Sequence, residues 1–297
     1  MFLLFACLGI ALHGQTTPDT QPPLQAPATA NAQTKHEQVA SDVDPFEAAY
    51  IDGDKLSYRG YDVERSTDAA ERLSFATIRK KGRTIATLAN GGLGKDSTRF
   101  GLFSLLGGES KQLVILQYTG GAHCCWTYRI YDFNPNLRVI FDDESYGLEY
   151  LGYELLPQDI DGDGKFELTQ AVMTFDYFHM SHASSVFPVA VFSYNEKSRT
   201  YVPANRRFSA YVLEDIEHDL KALELASRDV NAEDIQNKEE YLSALLKVLL
   251  KRIYAGDEAD AWTFFDTKYR LSDKIEFKND IRQALRHDPI YRSVYKR

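Results

Sequence analysis

Cysteine, methionine and tryptophan are scarce in this chain of 297 residues, with three, three and two copies. Cys7 falls in an N-terminal apolar run, so a processed chain would keep Cys124 and Cys125 alone. No run beyond residue 13 is apolar enough to span a bilayer. Basic residues are also in deficit: 34 Lys and Arg against 43 Asp and Glu give a formal charge of −9, which argues against a general nucleic-acid binder. The deficit belongs to residues 1–205, with 17 basic and 25 acidic side chains, because residues 206–297 hold 17 and 18. Set against these shortages, 18 Tyr and 17 Phe favour strands packed through aromatic cross-strand pairs. A hydrophobic fraction of 44% is enough for a folded core.

The first thirteen residues have the length of a signal-peptide h-region but no basic residues ahead of them. Residues 1–14 are therefore expected to be a signal peptide, atypical or with a truncated start, cleaved near Gly14-Gln15. A lipobox reading through Leu4-Phe5-Ala6-Cys7 is the lesser alternative, since few apolar residues precede Cys7. Residues 15–45 carry five prolines among Gln, Thr, Ala and Asn and read as a disordered linker. Secreted or periplasmic localisation follows as the expectation.

From residue 46 the pattern becomes short apolar or alternating runs divided by turn signals. Residues 74–79 and 83–88 flank Lys81-Gly82, 100–106 and 112–118 flank Gly107-Gly108, 126–133 and 137–141 flank Asn134-Pro135, and 187–194 and 200–202 flank Asn195-Glu196. About ten strands in an antiparallel meander are expected over 46–205, propeller-like or as a sandwich. No internal repeat supports a complete propeller. Residues 206–297 are expected to form a helical domain. Leu242, Leu245, Leu246, Leu249 and Ile253 recur at helical spacing, as do Trp262, Phe265 and Tyr269. A third helix should start at Asp273, with Glu276 as its capping-box partner and Phe277, Ile281 and Leu285 inward. The fold class is thus mainly β with a C-terminal α-helical domain. Residues 268–297 carry nine Lys or Arg against four Asp or Glu, read as a solvated face, with contact to an anionic polymer or headgroup surface as the alternative.

The stretch with the most specific chemistry is Asp159-Ile160-Asp161-Gly162-Asp163-Gly164-Lys165-Phe166-Glu167. Carboxylates at alternate positions, with Glu167 at the ninth, repel one another unless a hard cation sits between them, and two glycines permit a tight backbone path. Ca²⁺ is the expected ion; a solvated acidic turn without an ion is the plain alternative. An EF-hand is excluded, because Gln170 stands where its twelfth-position glutamate would be and the flanks read as strands. The loop resembles those of FG-GAP or VCBS-type repeats of integrin α-chain propellers. That resemblance implies that Asp159, Asp161, Asp163, Glu167 and the Lys165 carbonyl hold calcium.

Other candidates are weaker. In Thr119-Gly120-Gly121-Ala122-His123-Cys124-Cys125-Trp126, an oxidising compartment could join the two cysteines as a vicinal disulfide. A reduced pair on opposite faces of a strand and an intermolecular bridge remain open. His123 and Cys124 as a nucleophile pair is disfavoured, since adjacent side chains diverge on a strand. The GGAHCC string with the later acidic loop is similar to a group of poorly characterised secreted bacterial proteins, which implies an exported calcium-bearing β domain and no activity. Asp176, His179 and His182 could make a transition-metal site, but isolated surface histidines are preferred. Residues 91–98 fail as a phosphate loop, because Asp96 follows the lysine and Ala89 occupies the first glycine position.

The leading expectation is an exported calcium-binding β module acting as a binding or scaffold protein towards an envelope or extracellular partner. The alternative is a secreted hydrolase with its site near His123 and the β-domain loops. Mass spectrometry of protein from the producing cell should show a mature chain beginning near Gln15 and lacking Cys7; an intact Met1 on soluble cytoplasmic protein would overturn the export reading.

Overall fold

The computed structural model describes Phe46 and residues 50–68, 70, 72–92, 95–120, 125–147, 150–228, 230–231 and 233–296. The expected signal segment, the linker, His123 and Cys124 lie outside the described residues. Among the described residues, twelve strands form three four-stranded antiparallel sheets in which sequence neighbours are also sheet neighbours. The first holds β1 (Lys55–Tyr58), β2 (Tyr61–Asp68), β3 (Leu73–Lys80) and β4 (Arg83–Gly91). The second holds β5 (Thr98–Phe103), β6 (Gln112–Tyr118), β7 (Trp126–Asp132) and β8 (Arg138–Asp142), and the third β9 (Leu155–Gln158), β10 (Glu167–Ala171), β11 (Val189–Asn195) and β12 (Thr200–Pro203). Helices follow: α1 (Ser209–Val212), α2 (Ile216–Ala226), α3 (Ile235–Ala255), α4 (Glu258–Lys268), α5 (Lys274–His287) and α6 (Pro289–Tyr295). The chain is therefore mainly β with a C-terminal helical region, as its patterning predicts. None of the described helices is long and apolar enough to cross a membrane.

Strand β6 shows how the sheets stack. Its residues Leu113 and Ile115 join Val63, Ile78, Tyr131 and Phe133 in one buried cluster, whereas Val114 and Leu116 join Tyr128, Ile130, Leu168 and Phe192 in another. Alternation on a pleated strand sends successive side chains to opposite faces, so the middle sheet is covered on both sides. Each sheet is a sequential four-stranded meander, and the middle one packs apolar side chains on both of its faces. The third sheet then shares its core with the helices, since Ala190 and Val191 lie in one cluster with Leu245, Leu249 and Ile253. Burying each of those leucines contributes about 1.5–3 kcal/mol. Residue 205 is thus a change of secondary structure inside one compact unit and one core.

Local details depart from expectation where a tertiary partner intervenes. Asp273 makes no side-chain cap of α5; its Oδ1 instead accepts from the Tyr269 hydroxyl at 2.6 Å. The stretch rejected as a phosphate loop ends β4 and turns through residues 95–97. There a Cβ on Gly91 would come within 1.9 Å of Ser74 Oγ, so the backbone can pass only without a side chain. Ser74 Oγ and Thr98 Oγ1 are 2.6 Å apart, and Gln117 Nε2 donates to Thr98 Oγ1 at 3.0 Å, tying the first sheet to the second through buried polar groups.

Two buried carboxylates join layers. Asp143 is fully buried after β8; its Oδ1 accepts from Tyr128 N–H on β7 at 2.8 Å and its Oδ2 from Gln170 Nε2 on β10 at 3.1 Å. Burial pushes its pKa up to about 8. Asp288, also fully buried, caps α6 by accepting from Ile290 N–H at 2.7 Å and Tyr291 N–H at 2.8 Å. Its other oxygen accepts from Thr174 Oγ1 at 2.5 Å and from the Tyr254 hydroxyl of α3.

Truncating Asp288 leaves four donors without their acceptor. Asp288→Ala should lower unfolding free energy in urea by about 3–5 kcal/mol, against about 1 kcal/mol for Tyr254→Phe. The Asp143 carboxyl takes up its proton more readily folded than unfolded. Its contribution is therefore full below the unfolded pKa of about 4 and is lost as pH rises through about 8. Stability should fall across that window by up to about 1.4 kcal/mol per pH unit from this group. Whatever its offset, Asp143→Asn should flatten the slope in urea titrations run at successive pH values.

Candidate metal centre

Residues 159–166 link β9 to β10, whose register sets Gln158 opposite Glu167 at the mouth of the loop. Gly162 at φ +72° and Gly164 at φ +82° take left-handed conformations that other residues rarely adopt. Three internal bonds hold the turn: Gly164 N–H donates to Asp159 Oδ2 at 3.1 Å, Lys165 N–H to Asp163 Oδ1 at 2.8 Å, and Ile160 N–H to Glu167 Oε2 at 3.1 Å. The second sheet supports it from outside. Phe166 N–H donates to the Leu105 carbonyl at 2.8 Å, and the Phe166 ring meets Phe103 edge-on at 5.5 Å. Leu105 and Leu106 are themselves positioned by N–H donation to the buried Gln112 Oε1. A Cβ on Gly107 would lie 2.8 Å from the Gly164 carbonyl, so the β5–β6 turn packs directly on the acidic loop.

The loop brings Asp159, Asp161 and Glu167 together, with one oxygen from each lying within 4.8 Å of the others. Oxygens each about 2.3–2.6 Å from a shared Ca²⁺ can be at most about 5 Å apart, so the three fit one hard cation. Among the described residues this is the only group of three or more His, Cys, Asp or Glu side chains whose ligand atoms converge. Asp159 and Asp161 are exposed, whereas Glu167 retains 3% of its surface. Burial first, and then the Asp161 charge, raise the Glu167 pKa, which is the cost a bound cation would offset. Asp163 does not join the cluster, being turned to Lys165 N–H, and the Lys165 ammonium points away to Glu196 at 2.5 Å.

The sequence gives no sign of the fourth charged member. Arg207, which precedes α1, places Nη2 2.5 Å from Asp161 Oδ2 and Nη1 3.0 Å from Ser193 Oγ on β11. Ser193 in turn bonds Glu167. A guanidinium thus pairs with one of the carboxylates of the cluster.

The remaining sequence candidates separate. His179 Nε2 lies 2.9 Å from Asp280 Oδ2 on α5, whereas His182 Nδ1 lies 2.7 Å from Asp176 Oδ1, so the three residues weighed as a transition-metal set do not converge. Cys125 is disulfide-bonded to a partner outside the described residues. Its carbonyl accepts from Thr119 N–H at 3.0 Å and Thr119 Oγ1 at 3.1 Å, closing the β6–β7 connection behind the Tyr118–Trp126 ring pair. Comparison with protein-family models, with curated proteins and with solved structures finds no match to this chain.

Proposed function

We propose that the chain is an exported calcium-binding β module that serves as a binding or scaffold protein in the cell envelope or outside the cell. The observation that carries this is the convergence of Asp159, Asp161 and Glu167 within 4.8 Å at the β9–β10 turn. Calcium takes six to eight oxygens, and the Lys165 carbonyl, a rotated Asp163 and water complete the set. Export is supported by the apolar N-terminal run and by the oxidised state of Cys125. The ion has a structural task here. Holding Glu167 at the start of β10, it joins the loop to the third sheet and, through release of Arg207, alters the approach to the helices. The alternative of a hydrolase centred on His123 turns on a residue outside the described part of the chain.

Titration calorimetry with CaCl2 should give a saturable heat, and the melting temperature should rise with calcium and fall with chelator. At a hundredfold excess over Kd the gain is about 2.7 kcal/mol. No heat and no chelator effect would end the calcium reading. Arg207 competes for Asp161 from a largely exposed position, where such pairs are worth at most about 1 kcal/mol. Arg207→Gln should therefore tighten calcium by up to about fivefold, and Glu167→Gln should weaken it by tenfold or more.

A further inference from the structure

The densest basic run in the chain is Arg79-Lys80-Lys81-Gly82-Arg83, four cations in five residues of a protein whose formal charge is −9. It forms the β3–β4 hairpin, and its members have different partners. Arg79 turns to Glu64 on β2. Lys80 faces the other side of the sheet, where its ammonium lies over the Tyr61 ring at 4.3 Å and donates to the Tyr61 hydroxyl at 2.8 Å. Register aligns Tyr58, Tyr61, Lys80 and Arg83 across all four strands at one end of the sheet. The hairpin turns at that end are Arg59-Gly60 and Lys81-Gly82, each with both residues at positive φ, so a second basic turn stands on the same edge. Two strand spacings, about 10 Å, separate them. Lys111, whose N–H donates to the Tyr58 hydroxyl at 3.4 Å, adds a cation from the β5–β6 turn.

Among the described residues none of Arg59, Lys80, Lys81, Arg83 and Lys111 pairs with a carboxylate. The acids closest in sequence are Asp62, on the opposite face of β2 from Tyr61 and bonded to Ser57 Oγ at 2.6 Å, and the exposed Glu109 of the β5–β6 turn. The Tyr61 hydroxyl contributes a donor to the same place. It accepts from Lys80 Nζ and, at 3.1 Å, from Leu137 N–H, while its own proton meets no acceptor among the described residues, although Tyr61 is only 5% exposed. The bond from Lys80 also holds the Tyr61 pKa below its ordinary value, as positive potential at the hydroxyl requires.

We propose that this end of the first sheet binds a phosphate-bearing polyanion. A tetrahedral phosphate takes donors from several directions, so one group can accept from Lys80 Nζ and Tyr61 O–H while the Arg83 guanidinium forks onto its other oxygens. A planar carboxylate suits that spread less well. The separation of the two basic turns, about 10 Å, calls for more than one phosphate and therefore for a polymer. The turn tips bear Arg, Gly and Lys and offer no apolar side chain to enter a bilayer, which favours a polymer over a headgroup layer. The inference names a partner class for the binding module proposed above and relies on that reading only for its setting.

The test is titration of the whole chain with long-chain inorganic polyphosphate in EDTA, which keeps calcium off the acidic loop, so that this reading and the calcium reading fail separately. Saturable binding is expected, with affinity falling as salt rises at a log–log slope of about −3, from roughly four or five phosphate contacts. Lys81→Asn with Arg83→Gln, both at exposed positions, should weaken binding by about tenfold while the melting temperature is kept. Arg286→Gln with Arg292→Gln removes two exposed cations from α5 and α6 and should change binding by less than about twofold. No saturable binding, binding kept in the Lys81→Asn/Arg83→Gln chain, equal losses in the two double variants, tighter binding of dextran sulfate, or binding to phosphatidylglycerol vesicles without binding to polyphosphate would each overturn the proposal.

Discussion

The helices dock on the third sheet through carboxylates aimed at one connection. Asp288 takes Thr174, Glu239 takes Ser181 and Ser184, and Asp280 takes His179, so helices α3 and α5 and the start of α6 all hold residues 172–188. Asp288 dominates these because it is fully buried and satisfies four donors, whereas Glu239 and Asp280 pair near solvent, where such contacts are weak. Apolar packing of α3 against the sheet brings the layers together, but it is indifferent to small sliding. The directed bonds at Asp288 fix which turn of which helix meets the loop.

Sheets and helices were legible because their burial is one-sided or alternating over several residues. Strand β6 reads directly from Leu113, Val114, Ile115 and Leu116, and α3 from its leucine spacing. Strands β1 and β2 lack a strong signal, since after the alternating Tyr61 and Val63 β2 carries only Glu64, Arg65, Ser66, Thr67 and Asp68, half-exposed or exposed side chains that extend no apolar period. The capping box at Asp273 failed for a tertiary reason: the Tyr269 hydroxyl, one turn away, competes for the same carboxylate. Local signatures of that kind hold only when no neighbouring donor is better placed.

Spacing served the acidic loop well for three of its members and poorly for the histidines. Asp159, Asp161 and Glu167 converge because the glycines and the β9–β10 register together bend the chain back on itself, both of which are written in nine residues. His179 and His182 are also close in sequence, yet left-handed backbone at Tyr177 and His179 sends one imidazole to a helix and the other to Asp176. No periodicity marks such a segment, so its partners, 101 residues on for His179, were beyond sequence reasoning.

Arg207 lies outside any local signature for the same reason, and its position changes what the acidic loop can do. It stands between Asp161 on the loop and Ser193 on β11, at the point where the sheets give way to α1. Arg207 makes the net charge at the cluster smaller, which eases the repulsion among its carboxylates. A cation of the kind proposed would compete with this guanidinium for Asp161, and Arg207 would keep its place over the adjacent Phe208 ring, where it already lies at 4.8 Å. On the proposed calcium reading, Arg207 would thus link the acidic loop to the first helical residues. The energy of that exchange would be the difference between a half-exposed ion pair and a calcium–oxygen bond, so the proposed affinity would depend on Arg207 as well as on the number of acidic residues.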